Sequence, residues 1–246
     1  MKKSIFTLTM LVVVLSSCSN NKSETKESSN KENDSVVTNK GSQLTIKGSE
    51  TMLQLMDAEV HAWSEVHKDA DISLTGGGSG NGITALIDGT TDIAMSSREL
   101  ETGEKLKLQD KKKEVKEVNI AYDALSVIVN PKNGIDKLSR EQLEDIFTGK
   151  VTNWKQVGGK DMNIVVYSRE NSSGTYKFFM EHVMKKKNYS PAVHQLSSPA
   201  LIVENVGQND GAIGYVGLSI INDKTKALAV SFDGKNYVKP TIATAK

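Results

Sequence analysis

The stretch DISLTGGGSGNGITALI, residues 71–87, decides the fold. Residues 71–75 read as a strand, a run of glycines with one serine follows from Gly76 to Gly82, and Ile83, Leu86 and Ile87 then fall on one side of a short helix. Strand, small-residue turn and helix make an α/β unit. The same unit stands just before it: residues 43–47 read as a strand, and Gly48-Ser49-Glu50-Thr51 opens a helix whose Met52, Leu55, Met56, Val60, Trp63 and Val66 share one face. A third strand over 91–95 ends in Ser96-Ser97-Arg98, and the charge run 105–113 reads as a solvated helix or loop.

Further along, 118–120 and 125–129 read as strands, the second closed by Asn130-Pro131. Ser139 and Gln142 have capping-box spacing ahead of a helix carrying Leu143, Ile146 and Phe147. A strand over 164–167 leads through Arg169-Glu170-Asn171-Ser172-Ser173-Gly174-Thr175 into a helix over 176–184. A helix over 200–205 and strands over 211–216 and 227–231 complete the pattern, with no repeat of fixed period.

The N-terminus assigns a compartment. Lys2 and Lys3 precede an apolar run over 5–15, too short to span a bilayer comfortably, that leads into Leu15-Ser16-Ser17-Cys18. This resembles a bacterial lipobox, and Cys18, the one cysteine of the chain, is then the lipidated first residue of the mature protein. Residues 19–40 are rich in Ser, Asn, Lys and Glu without an aromatic residue, and read as a flexible tether. Removing Lys2 and Lys3 leaves 29 basic against 30 acidic residues. That balance excludes a nucleic-acid binder, and an anionic ligand must be caught by local geometry rather than by a net field.

Three turns, 48–52, 76–82 and 169–175, set Ser or Thr between a strand and a helix. A helix start offers free N–H groups and about half a positive charge, which suits an oxyanion. Each turn alone is an ordinary N-cap. Three of them, with Ser96-Ser97-Arg98 at a further strand end, point to a ligand site at the C-terminal ends of strands. The glycine loop lacks the Gly-Lys-Ser/Thr ending of a P-loop and offers no Gly-x-Gly-x-x-Gly register. Around Ser79 the closing glycine of a nucleophile elbow falls one residue late, and His61, His67, His182 and His194 show neither triad nor metal-ligand spacing.

The blocks IKGSETM (46–52), GGGSGNGI (76–83), DIAMSSREL (92–100), DALSVIVNP (123–131), LSREQLEDIFTGKVTNW (138–154), SRENSSGT (168–175) and GAIGYVG (211–217) resemble, in order, the substrate-binding proteins of phosphate ABC transporters. The resemblance implies a two-lobed, type II periplasmic-binding-protein-like α/β fold that holds inorganic phosphate without cofactor, metal or covalent chemistry. By motif position, Thr51 and Ser79 supply hydroxyls, Met52 a backbone N–H, Arg169 a charged fork, and Ser173, Gly174 and Thr175 a helix start. Some members carry an aspartate that accepts the phosphate proton where this chain has Ser97; a hydroxyl also accepts a hydrogen bond. Arg98 is then a second ligand charge or, the favoured reading, a brace paired with a carboxylate. Glu170 and Asn171 orient Arg169 or face solvent.

The expected organisation is a signal peptide over 1–17, a lipidated linker over 18–42, lobe one over 43–122 with 218–246, and lobe two over 123–217. The two crossings, near 121–125 and 215–219, form a hinge. The expected protein is an extracytoplasmic monomer, anchored by lipid alone, that delivers phosphate to a permease. Rivals are a receptor for sulfate, molybdate or tungstate, and a hydrolase or adhesion lipoprotein that retains only the fold.

Overall fold

A computed structural model describes residues 43–244; the expected signal peptide over 1–17, the expected lipid site Cys18 and the expected 18–42 linker lie outside the described residues. The first half alternates β1 (Leu44–Gly48), α1 (Leu53–Val66), β2 (Ile72–Gly77), α2 (Ser79–Asp88), β3 (Ile93–Met95) and α3 (Thr102–Asp110). Its strands form a parallel sheet in the order β2-β1-β3, with Ile46 opposite both Leu74 and Ile93. Ile83 and Ile87 of α2 pack with Leu108 of α3 in a small core. The helix expected after Ser49 forms, but its apolar face is not buried: Trp63 is 54% exposed and Val66 78%.

The second half is larger. It comprises β4 (Leu125–Val129), β5 (Lys137–Ser139), α4 (Arg140–Phe147), β6 (Val165–Arg169), α5 (Gly174–His182), β7 (His194–Leu196), α6 (Pro199–Gln208), β8 (Ala212–Gly217), β9 (Lys226–Ala227) and β10 (Ala229–Ser231). Five of these strands form a mixed sheet in the order β7-β6-β8-β4-β9. Both faces of that sheet are covered, which explains the near-continuous apolar residues of β4 and β8. One face carries Phe147, Trp154, Phe179 and Tyr215; α6 covers the other with Ile202, Val203 and Val206. The expected capping box starts α4, Ser139 Oγ accepting from Gln142 N at 3.2 Å and Gln142 Oε1 from Ser139 N at 2.8 Å.

Two expectations are corrected. Residues 113–124 carry no strand, and Val118 and Ile120 are exposed, because β-branched residues make a strand only where a sheet edge takes up their N–H and C=O groups. Residues 218–246 were expected in the first lobe, yet Ala227 pairs with Ile128 and Val230 with Leu138, which puts β9 and β10 in the second half. Leu228 drives this: fully buried, it joins the large core and donates its N–H to Val127 O at 2.9 Å. The crossing expected at 215–219 therefore leads, among the described residues, to further strands of the second half.

Candidate functional site

The turns singled out in the sequence converge where the two halves meet. Gly78, just before α2, has φ +95°, and a Cβ on it would stand 2.8 Å from Ser172 Oγ and 2.9 Å from Ser172 O. Only glycine lets the glycine loop approach the turn before α5 this closely. Gly80 N then donates to Ser172 O at 2.9 Å, tying the first turn of α2 to the other half.

Ser79 is the first residue of α2 rather than a loop residue, and it is fully buried. Its Oγ accepts from Ser97 N at 3.1 Å and lies 3.3 Å from Ser97 Oγ, to which Ser49 Oγ donates at 3.1 Å. A Cβ built on Gly174 would fall 2.5 Å from Ser79 Oγ and 2.7 Å from Ser97 Oγ, so the start of α5 packs directly on these hydroxyls. Ser173 caps α5 by accepting from Tyr176 N at 3.3 Å. Thr51 Oγ1 and Thr175 Oγ1, one from each half, stand 3.0 Å apart. Ser49, expected only as part of its turn, is 2% exposed and bonds Ser97, which makes it a member of this ring of hydroxyls.

Arg169 ends β6 and is 2% exposed. Its Nη2 donates to Ser197 O at 2.7 Å and its Nε to Leu196 O at 3.3 Å, while among the described residues no carboxylate lies within ion-pair distance. Burial pulls its pKa below the usual arginine value, opposed by the charges of Glu50 and Glu170. A buried cation without a paired anion is costly, and a site for an anionic ligand accounts for it. Beneath it, Ser168 Oγ lies 2.7 Å from Tyr215 OH, which lies 2.9 Å from Tyr189 OH. Burial pushes the Tyr215 hydroxyl up to about 12 and Tyr189 upward as well, so both stay neutral and anchor the end of β6.

Other candidates fall elsewhere. Arg98 forks onto Glu104 at 2.7 and 2.8 Å, in the manner of a brace. The Met52 N–H donates to Ser49 O at 3.2 Å inside its own turn rather than standing free. Neither Glu170 nor Asn171 has a side-chain hydrogen bond to Arg169 among the described residues; both are exposed in the turn, and the carbonyls of Leu196 and Ser197 orient the guanidinium instead. The histidines pack on surfaces: His67 stacks on Trp63, His182 and His194 lie tilted on Phe178 and Tyr167, and His61 faces Glu65 at 3.6 Å. A cavity of about 490 Å³ opens beside Thr51, lined by Glu50, Gln54, Asp57, Ser198 and Ser219.

Hydroxyls and helix starts gathered from two α/β halves, with a buried arginine at the head of the turn before α5, have the chemistry of an oxyanion-binding protein. A family model described as a PBP superfamily domain matches residues 25–245. The phosphate-binding protein PstS of Bacillus subtilis (strain 168) is 31% identical over 249 aligned positions, covering 100% of this chain and 81% of that protein. PstS of Staphylococcus aureus (strain USA300) is 35% identical over 203 positions, 80% of this chain and 62% of that one. Among solved structures, a putative phosphate ABC transporter substrate-binding protein with bound phosphate from Clostridium perfringens superposes with TM-score 0.71 at 36% identity, over 76% of this chain and 75% of the other. The chain belongs to the PBP superfamily and, within it, to the family of phosphate ABC transporter substrate-binding proteins.

Proposed function

We propose that the chain captures inorganic phosphate outside the cytoplasm and hands it to an ABC permease, acting as a receptor and not as an enzyme. The observation that carries this reading is Arg169, 2% exposed and without a carboxylate partner among the described residues, at the head of the turn whose Ser173, Gly174 and Thr175 start α5. Its planar fork suits two oxygens of a tetrahedral anion. Thr51, Ser79, Ser97 and Thr175 supply hydroxyls, and the first-turn N–H groups of α5 at Gly174 and Thr175, which have no i−4 carbonyl within the helix, supply backbone donors. The relatives from B. subtilis and S. aureus carry the name phosphate-binding protein, and the C. perfringens structure contains phosphate.

Ser97 reads the ligand's proton. Its hydroxyl sits between those of Ser49 and Ser79 and accepts from the former, so a phosphate O–H finds an acceptor there that a fully ionised sulfate cannot use. The two halves act as lobes that open about residues 111–124. Cys18 carries a lipid that tethers the chain to the outer side of a membrane, and the protein works as a monomer. Titration calorimetry with phosphate, arsenate and sulfate tests the reading: phosphate and arsenate bind, and sulfate at least tenfold weaker, roughly 1.4 kcal/mol. Tighter binding of sulfate would reject it.

A further inference from the structure

We propose that Lys177 and Glu101 form a latch, an ion pair outside the ligand's own contacts that slows reopening of the protein over a bound anion. The proposal rests on the reading above, in which Arg169, the hydroxyls of Thr51, Ser79, Ser97 and Thr175 and the start of α5 form a cage for one anion. Lys177 Nζ donates to Glu101 Oε1, and among the described residues this is the one ion pair joining the elements of the first half to those of the second. The other polar contacts between the halves near it, Thr51 with Thr175 and Gly80 with Ser172, belong to the ring itself.

Each end of the pair is held by a residue next to the ring. Glu101 caps α3, and its N–H donates to Glu104 Oε2 at 2.8 Å. Glu104 in turn grips Arg98, which follows Ser97 directly; Arg98 also lies 3.6 Å from Glu101. On the opposite side, Lys177 stands in the first turn of α5, two residues beyond Thr175. Burial raises the Glu104 carboxyl, but hydrogen bonding from Arg98 and the Glu101 backbone, with attraction from Arg98 and Lys177, outweighs it and holds Glu104 below its usual range. The chain of contacts Ser97, Arg98, Glu104, Glu101, Lys177 and α5 thus runs around the outside of the cage from one wall to the other.

A surface ion pair ordinarily contributes little to folding. This one forms only when the halves are together, so its effect falls on ligand release and not on the stability of either half. With side chains 31% and 44% exposed it is open to screening by salt. The expected magnitude is a two- to fivefold faster release of phosphate, about what an exposed pair yields.

The test is a double-mutant cycle with Lys177→Met and Glu101→Gln in the full chain, following release of radiolabelled inorganic phosphate at about 0.05 M and 0.5 M salt. Each single variant should release phosphate about two- to fivefold faster at low salt, the double variant no faster than either single, and the gap should close at high salt. Lys177→Arg, which keeps the charge opposite Glu101, should retain slow release, which a role for Lys177 in packing alone does not predict. Additive effects, unchanged release, or release by Lys177→Arg as fast as by Lys177→Met would overturn the latch while leaving the cage in place. Absence of phosphate binding by the wild-type chain would overturn the cage, and the latch with it.

Discussion

Gly174→Ala separates binding from folding more cleanly than removal of any side chain. The methyl it adds would stand 2.5 Å from Ser79 Oγ, 2.7 Å from Ser97 Oγ and 3.2 Å from Ser79 Cβ, all inside the 3.4 Å at which ordinary van der Waals contact begins. Gly174 is not among the positive-φ glycines and opens α5, so the backbone accepts alanine and its helix propensity improves. The two hydroxyls must turn away from the ring or the halves must stay apart. Hydrogen bonds to a charged group contribute about 1.5–3 kcal/mol each, so losing two weakens phosphate by at least about 3 kcal/mol, roughly 10²-fold. Calorimetry should show that loss, while the ligand-free melting temperature stays level or rises slightly. An affinity within about threefold of wild type would show that Gly174 does not border the anion and would refute the cage geometry.

Arg169→Lys keeps the charge but loses the fork and both anchors on Leu196 O and Ser197 O, so phosphate affinity measured by calorimetry should fall about 10- to 100-fold; wild-type affinity would show that a point charge suffices. Phe179 is fully buried and stacks on Tyr215 with centroids 4.1 Å apart, and Phe179→Ala should cost about 3–5 kcal/mol in urea unfolding. A loss below about 1 kcal/mol would mean that neighbouring rings refill the space. Lys187 and Arg140 lower the Glu144 carboxyl from 4.5 to about 2. Because the folded value is the depressed one, this contribution is present above about pH 4.5 and is lost as pH falls toward 2. The stability gap between wild type and Glu144→Gln should therefore shrink on acidification through that window, and a gap independent of pH would contradict the assignment.

The ring was readable because its chemistry is local. A serine or threonine at a helix start and a glycine where backbones meet are choices that the letters record, so Thr51, Ser79, Ser173 and Thr175 stood out before their proximity was visible. What orients Arg169 was not readable, since the carbonyls of Leu196 and Ser197 belong to the main chain and any residue could provide them. The apolar stripe of α1 correctly announced a helix but not its burial, which depends on what lies opposite. Val118 and Ile120 show the same limit for strands, and Leu228 shows how one buried side chain decides which half of the molecule a segment joins. Arg98 was legible as one of two alternatives, and the position of Glu104 six residues on distinguishes them.

In the proposed site one tetrahedral anion sits among Arg169, Thr51, Ser79, Ser97 and Thr175. Crystals grown with arsenate, with the arsenic located by anomalous scattering, test it most directly. A single peak is expected, with the arsenate oxygens within hydrogen-bond reach, about 2.7–3.2 Å, of Arg169 and those hydroxyls. A peak in the cavity beside Glu50 and Asp57, or none at saturating arsenate, would contradict it.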